Sequence, residues 1–223
     1  LFLRIFFTRT GFHFAGKCFE EKKTMLAHLR PSLVFLVLFT VLTGIIYPLA
    51  VTGIAQVAFP LQAGGSLIVR NDVVVGSSLI GQNFTSDRYF NPRPSATNIP
   101  DPKDSTKTID APYNAANSSG SNLGPLNKTL LDRVKAGVED KRKAGWSGDI
   151  PADALTTSAS GLDPEISPQY ARAQIDAVAR ARGLDREKLA ALVEAHVEKR
   201  WLGILGEPRA NVLLLNLALD ELK

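Results

Sequence analysis

Cysteine is almost missing from this chain. Cys18 stands alone, which excludes an internal disulfide framework and cysteine-ligated zinc or iron–sulfur sites. Histidine is nearly as scarce: His13, His28 and His196 lie far apart, too dispersed for a histidine-based metal cluster. No repeat, heptad or collagen period runs through the 223 residues, and a hydrophobic share of 45% is too high for a disordered chain. Charge is missing from one long stretch. Between Arg30 and Arg70 lie 39 residues without a formal charge.

The charges that are present exclude a nucleic-acid binder. The net charge is +4, and residues 1–30 hold six basic side chains against two acidic ones. From Arg70 onward there are 20 basic and 20 acidic residues. A nucleic-acid binder carries its excess positive charge on the folded surface that meets phosphate. Here the excess immediately precedes a hydrophobic run, where it sets membrane orientation.

That run, 33–59, begins LVFLVLFTVLTGIIYPLAVTGIA. Roughly 20 apolar residues cross the hydrocarbon core as a helix, so a span over about 33–55 is expected. Pro48, Gly44 and Gly53 are tolerated in lipid, and Tyr47 and Phe59 suit an interface. A buried soluble helix seldom runs so long without charge. A cleaved signal peptide, with Gly53 and Ala55 before the cut, has a shorter apolar region of about 7–15 residues. An uncleaved anchor over 25–60 is the better reading, with the N-terminus cytoplasmic and residues 61–223 extracytoplasmic. Residues 1–24 are expected to be a non-native or mis-assigned leader before Met25, the only methionine.

The rest reads as an α+β domain. Ser66–Val75 predicts a hairpin turning at Arg70-Asn71-Asp72, and 78–84 a further strand. Six prolines between Thr85 and Lys128 forbid helix or central strand there, so this stretch is expected to be an irregular excursion. Four helices follow. One begins near Asn127 and ends at Gly145; a second is capped by Ser167, starts at Pro168 and stops at Gly183. A third is capped by Asp185 and runs toward Gly203, and a fourth starts at Pro208. The inward stripes are Leu131/Val134/Val138, Ala171/Ile175/Val178, Leu189/Leu192/Val193/Val197 and Val212/Leu215/Leu219/Leu222.

No nucleophile–base pair stands out. His196 sits among Val193, Val197 and Arg200 as a structural histidine would, and no G-x-S-x-G signal accompanies a serine. Gly76-Ser77-Ser78-Leu79-Ile80-Gly81-Gln82 has the glycine spacing of a phosphate loop, but Gln82 stands where that pattern needs lysine. A glycine-bounded strand explains it as well. Within the excursion, Tyr89, Phe90 and Tyr113 lie among Arg88, Arg93 and several asparagines, a mixture suited to a partner interface. A solvated loop is the competing account. Neither catalytic residues nor metal ligands are assigned. A membrane-anchored hydrolase using Ser77, Ser78 or Ser160, and a free extracytoplasmic binding module, remain as alternative functions.

Several phrases, in order, resemble one family. Leu29-Arg30-Pro31, VGSSLIGQNF (75–84), YFNPRPSA (89–96), SGSNLGP (119–125), SASGLDPEISPQYARAQI (158–175), ARG (181–183) and LGEPRANVLLLNLALD (205–220) are similar to the C subunit of the bacterial potassium-transporting ATPase, the Kdp complex. The resemblance covers 26–223. One departure is Glu165, where that family often carries histidine. The resemblance implies a single-span inner-membrane subunit without a hydrolytic site or cofactor of its own. Its partners would be a channel-like potassium-translocating subunit, a P-type ATPase subunit and a small fourth subunit. The family acts as a catalytic chaperone raising the ATP affinity of the hydrolysing subunit, and its L-I-G-Q phrase, here Leu79–Gln82, is likened to an ATPase signature loop. A domain outside the membrane cannot touch cytoplasmic ATP, so such coupling would have to pass through the complex.

Overall fold

A computed structural model describes residues 14–222, with side chains from residue 27 onward. The chain divides into two compact units, one ending at Gly64 and one starting at Gly65. The expectation for a leader over residues 1–24 lies largely outside the described residues.

The first unit is helical. Helix α1 (Phe14–Val41) passes through a five-residue π-turn (Leu42–Ile46) into α2 (Tyr47–Ala58), and a single turn, α3 (Pro60–Ala63), follows. The π-turn has a local cause. Pro48 has no N–H for the carbonyl of Gly44, and its ring would crowd that carbonyl in a regular helix; widening the preceding turn relieves both. Residues 27–58 form the one helix among the described residues long and apolar enough to cross a membrane. The expected span of 33–55 lies inside it, and its large apolar side chains are exposed along its length. Such a helix fits a hydrocarbon environment, where all its backbone groups are satisfied internally.

The second unit is the α+β domain. Strands β1 (Leu67–Arg70) and β2 (Val73–Ser77) pair antiparallel. Asn71 and Asp72 both have positive φ, at 51° and 61°, the conformation a two-residue hairpin turn needs and one that Asn and Asp tolerate. The expected strand over 78–84 is not formed. The Ser77 hydroxyl accepts the Leu79 N–H at 3.1 Å, and Ile80 N–H reaches the Ser77 carbonyl at 3.4 Å. The chain therefore turns where a strand would have continued.

The excursion from Thr85 to Lys128 is more ordered than its prolines suggest. It carries an antiparallel hairpin, β3 (Asn98–Asp101) and β4 (Asp104–Asp110). Pro100 lies in β3 opposite Thr108, in a two-stranded sheet where each strand keeps an open edge that can lack a donor.

Helix α4 (Lys128–Lys143) follows, with Asn127 Oδ1 accepting the Thr129 N–H at 2.8 Å. Ser167 Oγ caps α5 (Pro168–Arg182) by accepting Tyr170 N–H, and Gly183 ends it at φ 68°. Asp185 caps α6 (Arg186–Ala195). That helix stops well short of Gly203, and the last one, α7 (Val212–Glu221), starts four residues after Pro208. The intervening chain is a sheet absent from the sequence reading. Strands β5 (Glu165–Ile166), β6 (Val197–Glu198) and β7 (Arg209–Asn211) form an antiparallel sheet with β7 in the centre. Strands of two and three residues are too short for alternation to register.

The core joins α5, α6 and α7 around this sheet. Ala171, Ile175, Val178, Leu189, Val193, Val212, Leu215 and Leu219, all from the expected stripes, are buried with Tyr170, Ile166 and Ala210. Each large aliphatic side chain contributes about 1.5–3 kcal/mol on burial. The stripe of α4 is weaker: Leu131 stays exposed, and Val134 and Val138 are half-buried.

Candidate functional site

The glycine–serine segment 76–82 lies at the junction of β2, the loop before β5 and the start of α7. Ser77 Oγ donates to the Gly65 carbonyl at 2.7 Å. Gln82 Nε2 donates to the Val75 carbonyl at 2.7 Å, and Asn211 Nδ2 to the Ser78 carbonyl at 2.8 Å. The N–H groups of Ser78 and Gly81 bond the carbonyls of Ser66 and Leu162. A phosphate cradle needs several backbone donors free and converging; here the donors of residues 78–81 are engaged within the chain. The glycines serve close packing. A Cβ on Gly81 would collide with the Tyr113 ring and stand 2.7 Å from the Asp163 carbonyl, and one on Gly76 would stand 2.7 Å from Leu213 Cδ2. Leu79 and Ile80 alone present apolar side chains outward.

The second group of candidate residues is split by the fold. Phe90 has no exposed surface, so it belongs to the core and is withdrawn from the candidate partner surface. Its backbone is held by Asn216 on α7, whose Oδ1 accepts Phe90 N–H at 2.8 Å while Nδ2 donates to the Phe90 carbonyl at 2.9 Å. Gln174 on α5 does the same for Asn91, at 2.7 and 3.1 Å. Each amide side chain mimics one rung of a β-ladder; at Phe90 it pairs buried backbone groups that would otherwise be unsatisfied, and at Asn91 half-buried ones. Neither residue was singled out from sequence. The available signal was an amide inside an apolar helical stripe, next to Ile175 in one case and between Leu215 and Leu217 in the other.

Tyr89 is half-buried, with the Arg182 guanidinium 4.6 Å from its ring centroid, and Arg182 also ion-pairs with Asp220 at 2.6 Å. Arg88 is exposed; its carbonyl accepts Arg182 Nε at 2.7 Å, and its N–H bonds Ser86 Oγ at 3.3 Å. Arg93 pairs with Asp163 at 2.9 Å. Tyr113 donates its hydroxyl to the Arg93 carbonyl at 2.8 Å, and burial pushes its phenol well above the ordinary tyrosine range.

A cleft of about 860 Å³ opens beside these residues, lined among others by Arg93, Asp149, Asp153, Asp163, Glu165 and Arg209. Most of its charges have partners. Asp153 accepts Ser167 N–H at 2.6 Å and its hydroxyl at 3.1 Å. Glu165 lies 3.0 Å from Arg209, which also meets Glu198 at 3.1 Å. Burial raises the Glu165 carboxyl above its usual range; Arg209 opposes that shift, while Asp163 and Glu198 add to it. Among the described residues no group of three His, Cys, Asp or Glu side chains converges as metal ligands would. His196 is half-buried at the C-terminus of α6, with Nδ1 2.8 Å from the Leu192 carbonyl. Ser160 Oγ accepts Leu162 N–H at 3.1 Å.

One long apolar helix followed by an α+β domain defines a class: a domain carried, among the described residues, on a single candidate membrane anchor. The family is specific. The model of the family described as K+-transporting ATPase, c chain, matches residues 29–221, and the chain belongs to that family. It is 59% identical over 198 residues to the potassium-transporting ATPase KdpC subunit of Methylobacterium nodulans, covering 89% of this chain and 98% of that protein. The subunit of the same name from Rhodopseudomonas palustris strain BisB18 is 58% identical over 199 residues, 89% of this chain and 100% of the relative. That of Bradyrhizobium diazoefficiens is 56% identical over 197 residues, 88% and 98% respectively.

Proposed function

We propose that the chain is an accessory, non-catalytic subunit of an ATP-driven potassium uptake pump of the inner membrane. It assembles with a channel-like potassium-translocating subunit, a P-type ATPase subunit and a small fourth subunit. The observation that carries the reading is the family match over almost the whole α+β domain and the apolar helix together. The domain's chemistry supports it. Ser77 spends its proton on the Gly65 carbonyl, His196 is tied to the end of its own helix, and neither forms the nucleophile–base pair that hydrolysis needs.

The charge distribution supports an extracytoplasmic domain, since all nearby positive charge precedes the span. A gain in ATP affinity of the hydrolysing subunit then passes through subunit contacts, as a coupling free energy between distant sites. The engaged backbone of 76–82 favours that route over direct nucleotide contact by Leu79–Gln82.

The test is the purified pump. Alanine at Ser77, Ser160 or His196 should leave ATPase turnover within about tenfold of wild type, a barrier change near 1.4 kcal/mol. Turnover abolished while the subunits still co-purify would put chemistry in this chain. A chain that co-purifies with no pump subunit would refute the assignment itself.

A further inference from the structure

The hairpin between β6 and β7 ends in the most exposed apolar cluster of the α+β domain. Trp201, Leu202, Ile204 and Leu205 retain 67%, 72%, 75% and 52% of their surface. The tip is a built structure. Trp201 and Leu205 exchange backbone hydrogen bonds at 2.9 and 3.0 Å, and Gly203 N–H bonds the Arg200 carbonyl at 3.0 Å. Leu202 is held at φ 52°, a left-handed conformation that a leucine rarely adopts because its Cβ crowds the following carbonyl. The fold therefore accepts backbone strain in order to hold an apolar side chain in water.

Four large apolar side chains, each more than half exposed, on one five-residue tip form a contiguous apolar patch of the kind that marks an interaction site. The charges around it separate two kinds of partner. A loop that enters an anionic bilayer surface carries an excess of lysines and arginines over carboxylates. Here Lys199, Arg200 and Arg209 are matched in number by Glu165, Glu198 and Glu207; Arg200 pairs with Glu207 at 2.6 Å and Arg209 with Glu198 and Glu165 at 3.1 and 3.0 Å, and Lys199 has no ion pair among the described residues. An apolar centre with a tryptophan anchor inside a charge-compensated polar rim is the anatomy of a protein–protein contact.

We infer that the 201–205 tip is an anchor that inserts into an apolar pocket on another protein subunit of the same pump, on the side of the membrane where this domain lies. This rests on the pump-subunit reading above, and the test separates the two. The full-length chain is expressed with the pump, with a photo-crosslinking residue at Leu202 or, as a control, at exposed Lys135 on α4. Crosslinking of position 202, and not 135, to a co-purifying pump subunit is expected. In W201A/I204S, recovery of pump subunits should fall about tenfold, the loss typical of a central aromatic anchor. The thermal transition should stay unchanged, because the replaced side chains are exposed. Crosslinks from 202 to lipid alone, or to nothing, while the wild-type chain co-purifies with the pump overturn the anchor and leave the subunit assignment standing. A wild-type chain that recovers no pump subunit overturns both.

Discussion

Asn216 offers the sharpest test of how the domain holds its proline-rich segment. It is 2% exposed, and Phe90, whose two backbone groups it pairs, is 0% exposed. Replacing it by leucine keeps the branched shape, leaves no room for a substitute water and strands one buried N–H and one buried carbonyl. Each stranded group costs about 1–3 kcal/mol, so Asn216→Leu, which strands two, should cost about 2–6 kcal/mol. That is a large share of the about 5–15 kcal/mol that stabilises a typical domain. With a urea slope of about 2 kcal/mol per molar, the unfolding midpoint should fall by about 1–3 M. The assay is urea unfolding of the full chain in detergent in a Trp201→Phe background. Fluorescence then reports Trp146 alone, whose ring lies 5.8 Å from that of Tyr170 in the core. Gln174→Leu should cost less, since Asn91 is only half-buried and water can reach its backbone. A midpoint for Asn216→Leu within about 0.5 M of the parent, or about 1 kcal/mol, would show that these hydrogen bonds do not hold the segment.

Three further outcomes are expected. Gly81→Ala should destabilise the domain by about 1–3 kcal/mol through overpacking, because its Cβ meets the Asp163 carbonyl at 2.7 Å as well as the Tyr113 ring; an unchanged melting curve would contradict the packing role. Glu165, whose carboxyl burial raises, is protonated more readily in the folded than in the unfolded domain. Stability contributed by this group therefore declines as pH climbs from the unfolded carboxylate range through the folded pKa, then levels off. Glu165→Gln should flatten that decline without lowering stability at neutral pH, since Arg209 keeps Glu198; urea titrations from about pH 3 to about pH 8, which bracket the usual carboxylate range, would refute this if the variant declined as steeply as the parent. Reporter fusions at Gln62 and Lys223 should be active only outside the cytoplasm, and cytoplasmic activity at either position would reverse the proposed orientation.

The apolar helix, the balanced charge of the domain and three of its helix starts were legible in the residues alone. Each depends on local chemistry: a run without charge, or an Asn127, Ser167 or Asp185 oxygen placed to accept an N–H two or three residues on. Such signals survive translation into structure because their partners lie close in sequence. The stripes of α5, α6 and α7 were readable for the same reason, since burial of one helical face follows from spacing. Tertiary structure decided what depends on distant partners. Phe90 reads as a surface aromatic among arginines and asparagines, yet Asn216, 126 residues away, brings it into the core. The Pro208 signal for a helix start lost to β7, whose backbone pairs with β5 and β6 from two other stretches of chain. The phrase at 76–82 reads as a phosphate loop or a strand; carbonyls from Ser66 and Leu162 take up its donors and make it a packed turn. Hydrogen-bond partners a dozen or more residues away leave no periodicity in the sequence, and only the folded chain shows where they meet.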